Sequence, residues 1–141
     1  MLMINEFQFE NNIGILLKKI EEDINKDYNL NLLRIIYKGY NKNIDTIIAI
    51  INREFDKKQD LLNQLAVFFY KLEEYEDTLL LLNSAYMINP NNSDTLYNLG
   101  YFLYCMNETQ LALEFLNKIE PKDANVIKLI NEVQSKMQAM Y

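Results

Sequence analysis

The chain has 141 residues, with no His, no Trp, one Cys, three Gly and two Pro. Without His there is no Ser-His-Asp triad, no Cys-His pair and no His-ligated metal, and a single Cys gives neither an internal disulfide nor a CxxC pair. Lys+Arg is 14 against Asp+Glu 20, a net charge of −6, so the basic footprint that displaces counterions from nucleic acid is missing.

Apolar residues recur at helical rather than alternating spacing, and Gly and Pro, which punctuate structure, are scarce. The pattern predicts an all-α chain of about eight helices. The first, about 8–25, places Phe9, Ile13, Leu16, Leu17, Ile20 and Ile24 on one stripe. The second, about 28–39, carries Leu32, Leu33, Ile35 and Ile36 and can end at Gly39. The third, about 43–55, has Asn43 as an N-cap, and the fourth covers about 58–72. The fifth, about 75–88, stops because Pro90 disfavours a helical Asn89. The sixth, about 93–106, has Ser93 or Asn92 available as cap. The seventh, about 109–119, opens on Asn107 and Gln110 in a capping-box-like spacing. The eighth, about 122–139, begins at Pro121, where a missing N–H costs nothing, and sets Val126, Ile127, Leu129, Ile130, Val133 and Met137 on one side. Connections this short make neighbouring helices antiparallel.

A repeat decides between bundle and solenoid. Leu65-Ala66 recurs as Leu99-Gly100, Tyr70 as Tyr104 and Thr78 as Ala112, each 34 residues on. A period of about 34 residues built from two helices is the tetratricopeptide spacing. The stretch Asn91 to Gly100 resembles the start of a tetratricopeptide first helix. Leu96 stands for its usual Trp, Leu99-Gly100 for its Leu-Gly, and Tyr104 for a later aromatic. Tyr75 resembles the turn aromatic, Ala85 and Ala112 the small residues of the second helix, and Asn89-Pro90-Asn91-Asn92 the repeat ending. Thr109, Ile119 and the early Pro121 depart from the pattern. Small residues at Ala66, Ala85, Gly100 and Ala112 suit helices that approach closely. The resemblance implies a helical-hairpin solenoid in one domain over 1–141. Its parts are an N-terminal capping helix (1–24), a degenerate repeat (25–58), clear repeats over 59–92 and 93–121, and a C-terminal capping helix (122–141). Stacked repeats need such caps.

In the tetratricopeptide family the first helix of each repeat lines a concave groove. The resemblance carries this role to Asn63, Val67, Tyr70 and Lys71, and to Asp94, Tyr97, Asn98, Tyr101 and Tyr104. At 100° per residue, Tyr97, Tyr101 and Tyr104 fall within a sector of about 60°, and Leu96, Leu99 and Leu103 point elsewhere, into a core. Two readings of the tyrosine face stand: contact with a bound peptide, for which Tyr is a favoured anchor, and packing against a neighbouring repeat. The basic residues with which some family members clamp a carboxylate are missing, and an acidic, tyrosine-lined groove suits a basic or apolar segment.

The carboxylate runs Glu21-Glu22-Asp23 and Glu73-Glu74-Tyr75-Glu76-Asp77 read as solvated helix ends and turns. Cys105 reads as an inert, half-buried thiol. The expected function is therefore a non-catalytic scaffold for a peptide or protein partner, without cofactor or metal. An alternative is an accessory module of a bacterial glycosyltransferase system, which the Tyr-Asn-Leu-Gly-Tyr run resembles. A carboxylate-dependent enzyme is the remote one. No apolar run reaches the ~18–20 residues of a membrane span. Met1–Glu10 lacks the features of a signal peptide, and with the lone thiol this points to the cytoplasm. The N-terminal helix, short of partners within the weak first repeat, is a candidate surface for pairing two copies.

Overall fold

A computed structural model of the chain describes residues 6–39 and 44–140. Among them are eight α-helices and no strand: α1 (Glu6–Glu21), α2 (Lys26–Gly39), α3 (Ile44–Glu54), α4 (Lys58–Lys71), α5 (Tyr75–Ile88), α6 (Ser93–Cys105), α7 (Thr109–Asn117) and α8 (Ala124–Ala139). The all-α expectation and the helix order hold. The chain divides into two compact units, Met1–Leu81 and Leu82–Tyr141. The Asn43 cap lies outside the described residues.

In the first unit, α1 packs on α2 and α3. Its stripe of Phe9, Ile13, Leu16, Leu17 and Ile20 is buried as expected. Ile24 is not on it. Asp23 adopts a left-handed φ of 60°, Ile24 N–H donates to Lys19 C=O at 2.9 Å, and the chain turns away with Ile24 exposed. The apolar face that suggested α1 as a pairing surface is thus already covered by its own unit. The core continues through Leu30, Leu33 and Tyr37 of α2, Ile44, Ile47, Ile50 and Ile51 of α3, and Leu61, Leu62, Leu65, Ala66 and Phe69 of α4. Tyr37 meets Phe69 edge-on, with ring centroids 6.2 Å apart.

The second unit is built on the α6–α7 hairpin with α8 laid against it. Asn92 caps α6 by accepting from Thr95 N–H at 3.0 Å. Gly100 sits directly beneath Leu116 of α7. A Cβ at position 100 would come within 2.5 Å of Leu116 Cγ and would also strike its Cδ2. The absence of a side chain there sets how closely the two helices approach.

The 34-residue spacing reappears in the backbone. After α4, Glu73 (φ 62°) donates to Tyr70 C=O at 2.9 Å and Glu74 to Phe69 C=O at 3.0 Å. After α6, Asn107 (φ 65°) donates to Tyr104 C=O at 3.1 Å and Glu108 to Leu103 C=O at 2.8 Å. Both are Schellman turns, in which a left-handed residue lets two N–H groups close the helix end. Asn107 is therefore spent on ending α6. It does not open a capping box for α7, whose N-cap Glu108 makes no side-chain cap bond.

The start of α8 also differs from expectation. Pro121 lies in the linker, after a cis Glu120–Pro121 bond, and is not the first helical residue. Asp123 sets the start instead, its carboxylate accepting from Val126 N–H at 2.9 Å. Lys122 donates to the carbonyls of Asn117 and Ile119, at 3.1 and 3.0 Å, and closes α7 from the other side. Val126, Leu129 and Val133 are buried, whereas Ile127, expected on the same side, is 49% exposed. The i, i+3, i+7 spacing of the buried three defines the packed face, and Ile127 falls outside it.

Candidate functional site

In the second unit α6 has the two faces the sequence implies. Leu96, Leu99 and Leu103 are buried in the core. On the other side Tyr101 is 41% exposed, Tyr97, Asn98 and Tyr104 are half-buried, and Asp94 is exposed in the first turn. The Tyr101 phenol is held above its ordinary range, first by the neighbouring Cys105, with which it hydrogen-bonds, then by partial burial and by Tyr97 and Glu132.

Beside this face lies an open groove of about 950 Å³, lined by Tyr104 and by Ala124, Ile127, Lys128, Asn131, Glu132, Ser135 and Lys136 of α8. Lys136 ties the two helices together. Its ammonium donates to Tyr104 C=O at 3.0 Å and lies 4.7 Å from the centre of the Tyr104 ring. One face of the Tyr104 ring is thereby covered by α8, and Tyr104 forms the wall where the tyrosine face passes into the groove.

The α8 contribution goes beyond the capping role that the sequence implies for this helix. The signal was present: Ile127, Asn131 and Ser135 recur at i, i+4, i+8, a second stripe beside the buried one. The Lys136–Tyr104 contact has no local signal, because its partners are far apart in sequence.

The positions of the first unit are placed differently. Asn63 is 6% exposed and donates to Gln59 C=O of its own helix at 3.0 Å. Val67 and Lys71 are exposed. Tyr70 packs against Tyr75, with ring centroids 5.6 Å apart. The structure brings Tyr104 against α8, with Tyr97, Asn98 and Tyr101 beside it on α6. In the other unit it sets Val67 and Lys71 outward and holds Asn63 within.

The acidic run at the start of α5 is not uniformly solvated, contrary to expectation. Glu73 and Glu76 are exposed, but Glu74 and Asp77 are half-buried. Lys38 pairs with Glu74 at 3.0 Å, and Tyr37 hydroxyl donates to Asp77 Oδ2 at 3.4 Å. Desolvation raises the Asp77 carboxyl above its ordinary 3.8, against the lowering effect of Lys38. The Tyr37 phenol is likewise raised, by burial first and by Asp77 second. The other run, at the end of α1, is a surface pairing of Lys18 with Glu21 and Glu22 at 3.5 and 3.8 Å, worth little in water. Among the described residues no three His, Cys, Asp or Glu side chains gather as a metal site, and no helix is long and apolar enough to cross a membrane.

Compared with models of known protein families and with curated protein sequences, the chain matches none.

Proposed function

We propose that the chain is a tetratricopeptide-like helical repeat. On this reading it is a non-catalytic, cytoplasmic scaffold that binds a peptide or protein segment. The family reading is supported by the 34-residue recurrence of Leu65-Ala66 and Leu99-Gly100. The closely approached Gly100 supports it further.

One observation carries the binding reading. The tyrosine face of α6 reaches the α8 groove at Tyr104, with Tyr101 exposed on that face and Ile127 and Asn131 lining the groove. Tyr supplies wide amphipathic contact with few rotors to fix, and Asn side chains offer both a donor and an acceptor to an extended backbone. The partly buried Tyr97 and Tyr104 hold their rings in place before a ligand arrives, which lowers the entropy cost of binding.

A panned peptide library with NMR mapping tests this reading. Selected peptides are expected to shift resonances of Tyr97, Tyr101, Ile127 and Asn131. They should lose at least about tenfold in affinity on Tyr97→Ala with Tyr101→Ala, as anchor residues do. Peptides that map to α5 or α7, or that bind the double variant unchanged, would refute it.

A further inference from the structure

α2 is two-faced. Its inner side, Leu30, Leu33 and Tyr37, is buried. Its outer side carries Tyr28 at 68% and Ile35 at 62% exposure, with half-buried Leu32 between them. The i, i+4, i+7 spacing puts the three on one stripe. Single exposed apolar residues are ordinary, but an apolar stripe aligned along one helix marks an interaction surface.

The charges beside the stripe say what fits it. Along one flank, in order, stand Asp27, Asn31, Arg34 and Lys38, acidic at the start of the helix and basic at its end. Lys38 pairs with Glu74 at 3.0 Å. Arg34 Nε is buried without a hydrogen-bond partner. A second α2 laid antiparallel sets its acidic end against this basic end on the same flank, whereas in a parallel pair the two charged flanks fall on opposite sides of the contact and no acid meets a base. The antiparallel arrangement is also self-complementary, because Tyr28 then meets Ile35 of the second copy and Ile35 meets Tyr28.

We propose that the outer face of α2 is the contact of a two-fold homodimer, with the two α2 helices antiparallel, Asn31 and Leu32 at the axis and Asp27 facing Arg34 of the second copy. Such an isologous contact closes on itself and forms no filament. Two single-helix faces bury less than the roughly 1,200–2,000 Å² of stable complexes, so association is weak and depends on concentration. It uses α2, whereas the apolar stripe of α1 is buried.

Sedimentation equilibrium of the whole chain from about 1 µM to about 1 mM, the range in which a weak interface titrates, should show monomer passing to dimer. Ile35→Arg, at an exposed position that folding does not need, should weaken association by about tenfold or more. Asp27→Arg should weaken it and Asp27→Arg with Arg34→Asp should restore it. In a Cys105→Ser background, Asn31→Cys should form a disulfide-linked dimer on mild oxidation and Ile15→Cys on α1 should not. A chain that stays monomeric throughout overturns the proposal and leaves the face to a different partner. A dimer unaffected by Ile35→Arg, or cross-linked through position 15 and not 31, overturns it as well. Should Ile35→Arg lose its near-UV circular dichroism, the position-31 cross-link decides.

Discussion

α4 and α6 end in the same turn yet present different surfaces. Ala66 and Gly100 are both buried, and both helices close through the same pair of backbone hydrogen bonds around a left-handed residue. Their outer faces share little. Where α6 has Tyr97 and Tyr101, α4 has Asn63 turned in on its own helix and a bare Val67. Where Tyr104 is stacked under a lysine from α8, Tyr70 leans on Tyr75 of the following turn. The difference teaches which positions hold the hairpin and which are free. Small residues and turn bonds recur because helix approach requires them, and the outer face varies because nothing in the hairpin depends on it.

That division can be broken by substitution, and the largest effect should come from the small-residue position. Gly100→Leu drives side-chain atoms into Leu116 and should cost about 3 kcal/mol by overpacking, read as a lower Tm or denaturant midpoint. Pairing it with Leu116→Ala should recover part of that loss, since the two sites share one contact. An unchanged Tm for Gly100→Leu would break the claim that position 100 sets the approach. The turns come next. Glu73→Gly should stabilise by about 1 kcal/mol, because it relieves a side chain held at positive φ, and Asn107→Gly by only about a few tenths of that, because Asn tolerates the left-handed conformation. Opposite signs at the two positions would show that the turns are not equivalent. Lys136→Met tests the feature that α6 has and α4 lacks. It should cost about 0.5–1 kcal/mol through loss of the cation–ring and carbonyl contacts, while leaving the α4 turn unmoved in hydrogen exchange.

The smallest effect is one of pH. The folded-state carboxyl of Asp77 is raised above 3.8, so the folded chain holds this proton more tightly than the unfolded one. The stability contributed by the protonated form is complete below the usual carboxylate value and is lost as pH rises through the raised one. Asp77→Asn should therefore melt at a higher temperature than the parent at neutral pH, with the difference shrinking on acidification. A difference that does not change with pH would remove the assigned burial effect.

Much of this architecture is legible in the sequence because helical periodicity and punctuation are local. The end of α5 follows from Pro90, and the buried stripe of α1 from spacing alone. Misreadings arose where two local rules competed for one residue. Asn107 suits both an N-cap and a left-handed helix end, and the end prevails because it satisfies two backbone donors. Pro121 suits a first helical turn, but Asp123 offers a side-chain acceptor to Val126 N–H and places the start later. The α6 tyrosine face was legible as an amphipathic wheel. The α8 wall beside it was not, because the position of Lys136 over Tyr104 depends on how α8 docks on the hairpin. The partial burial of Asp77 has no local signal, because its partner Tyr37 is 40 residues away in sequence.

The central functional claim concerns one face, and photo-crosslinking tests it most directly. A benzophenone side chain is placed at position 101 on α6 or, in a separate variant, at exposed Met87 on α5, and each chain is irradiated in extract of its native cell. The expected result is a discrete protein adduct from position 101 that is lost on Tyr97→Ala and is absent from position 87. An adduct from position 87 alone, or equal adducts from both, would contradict it.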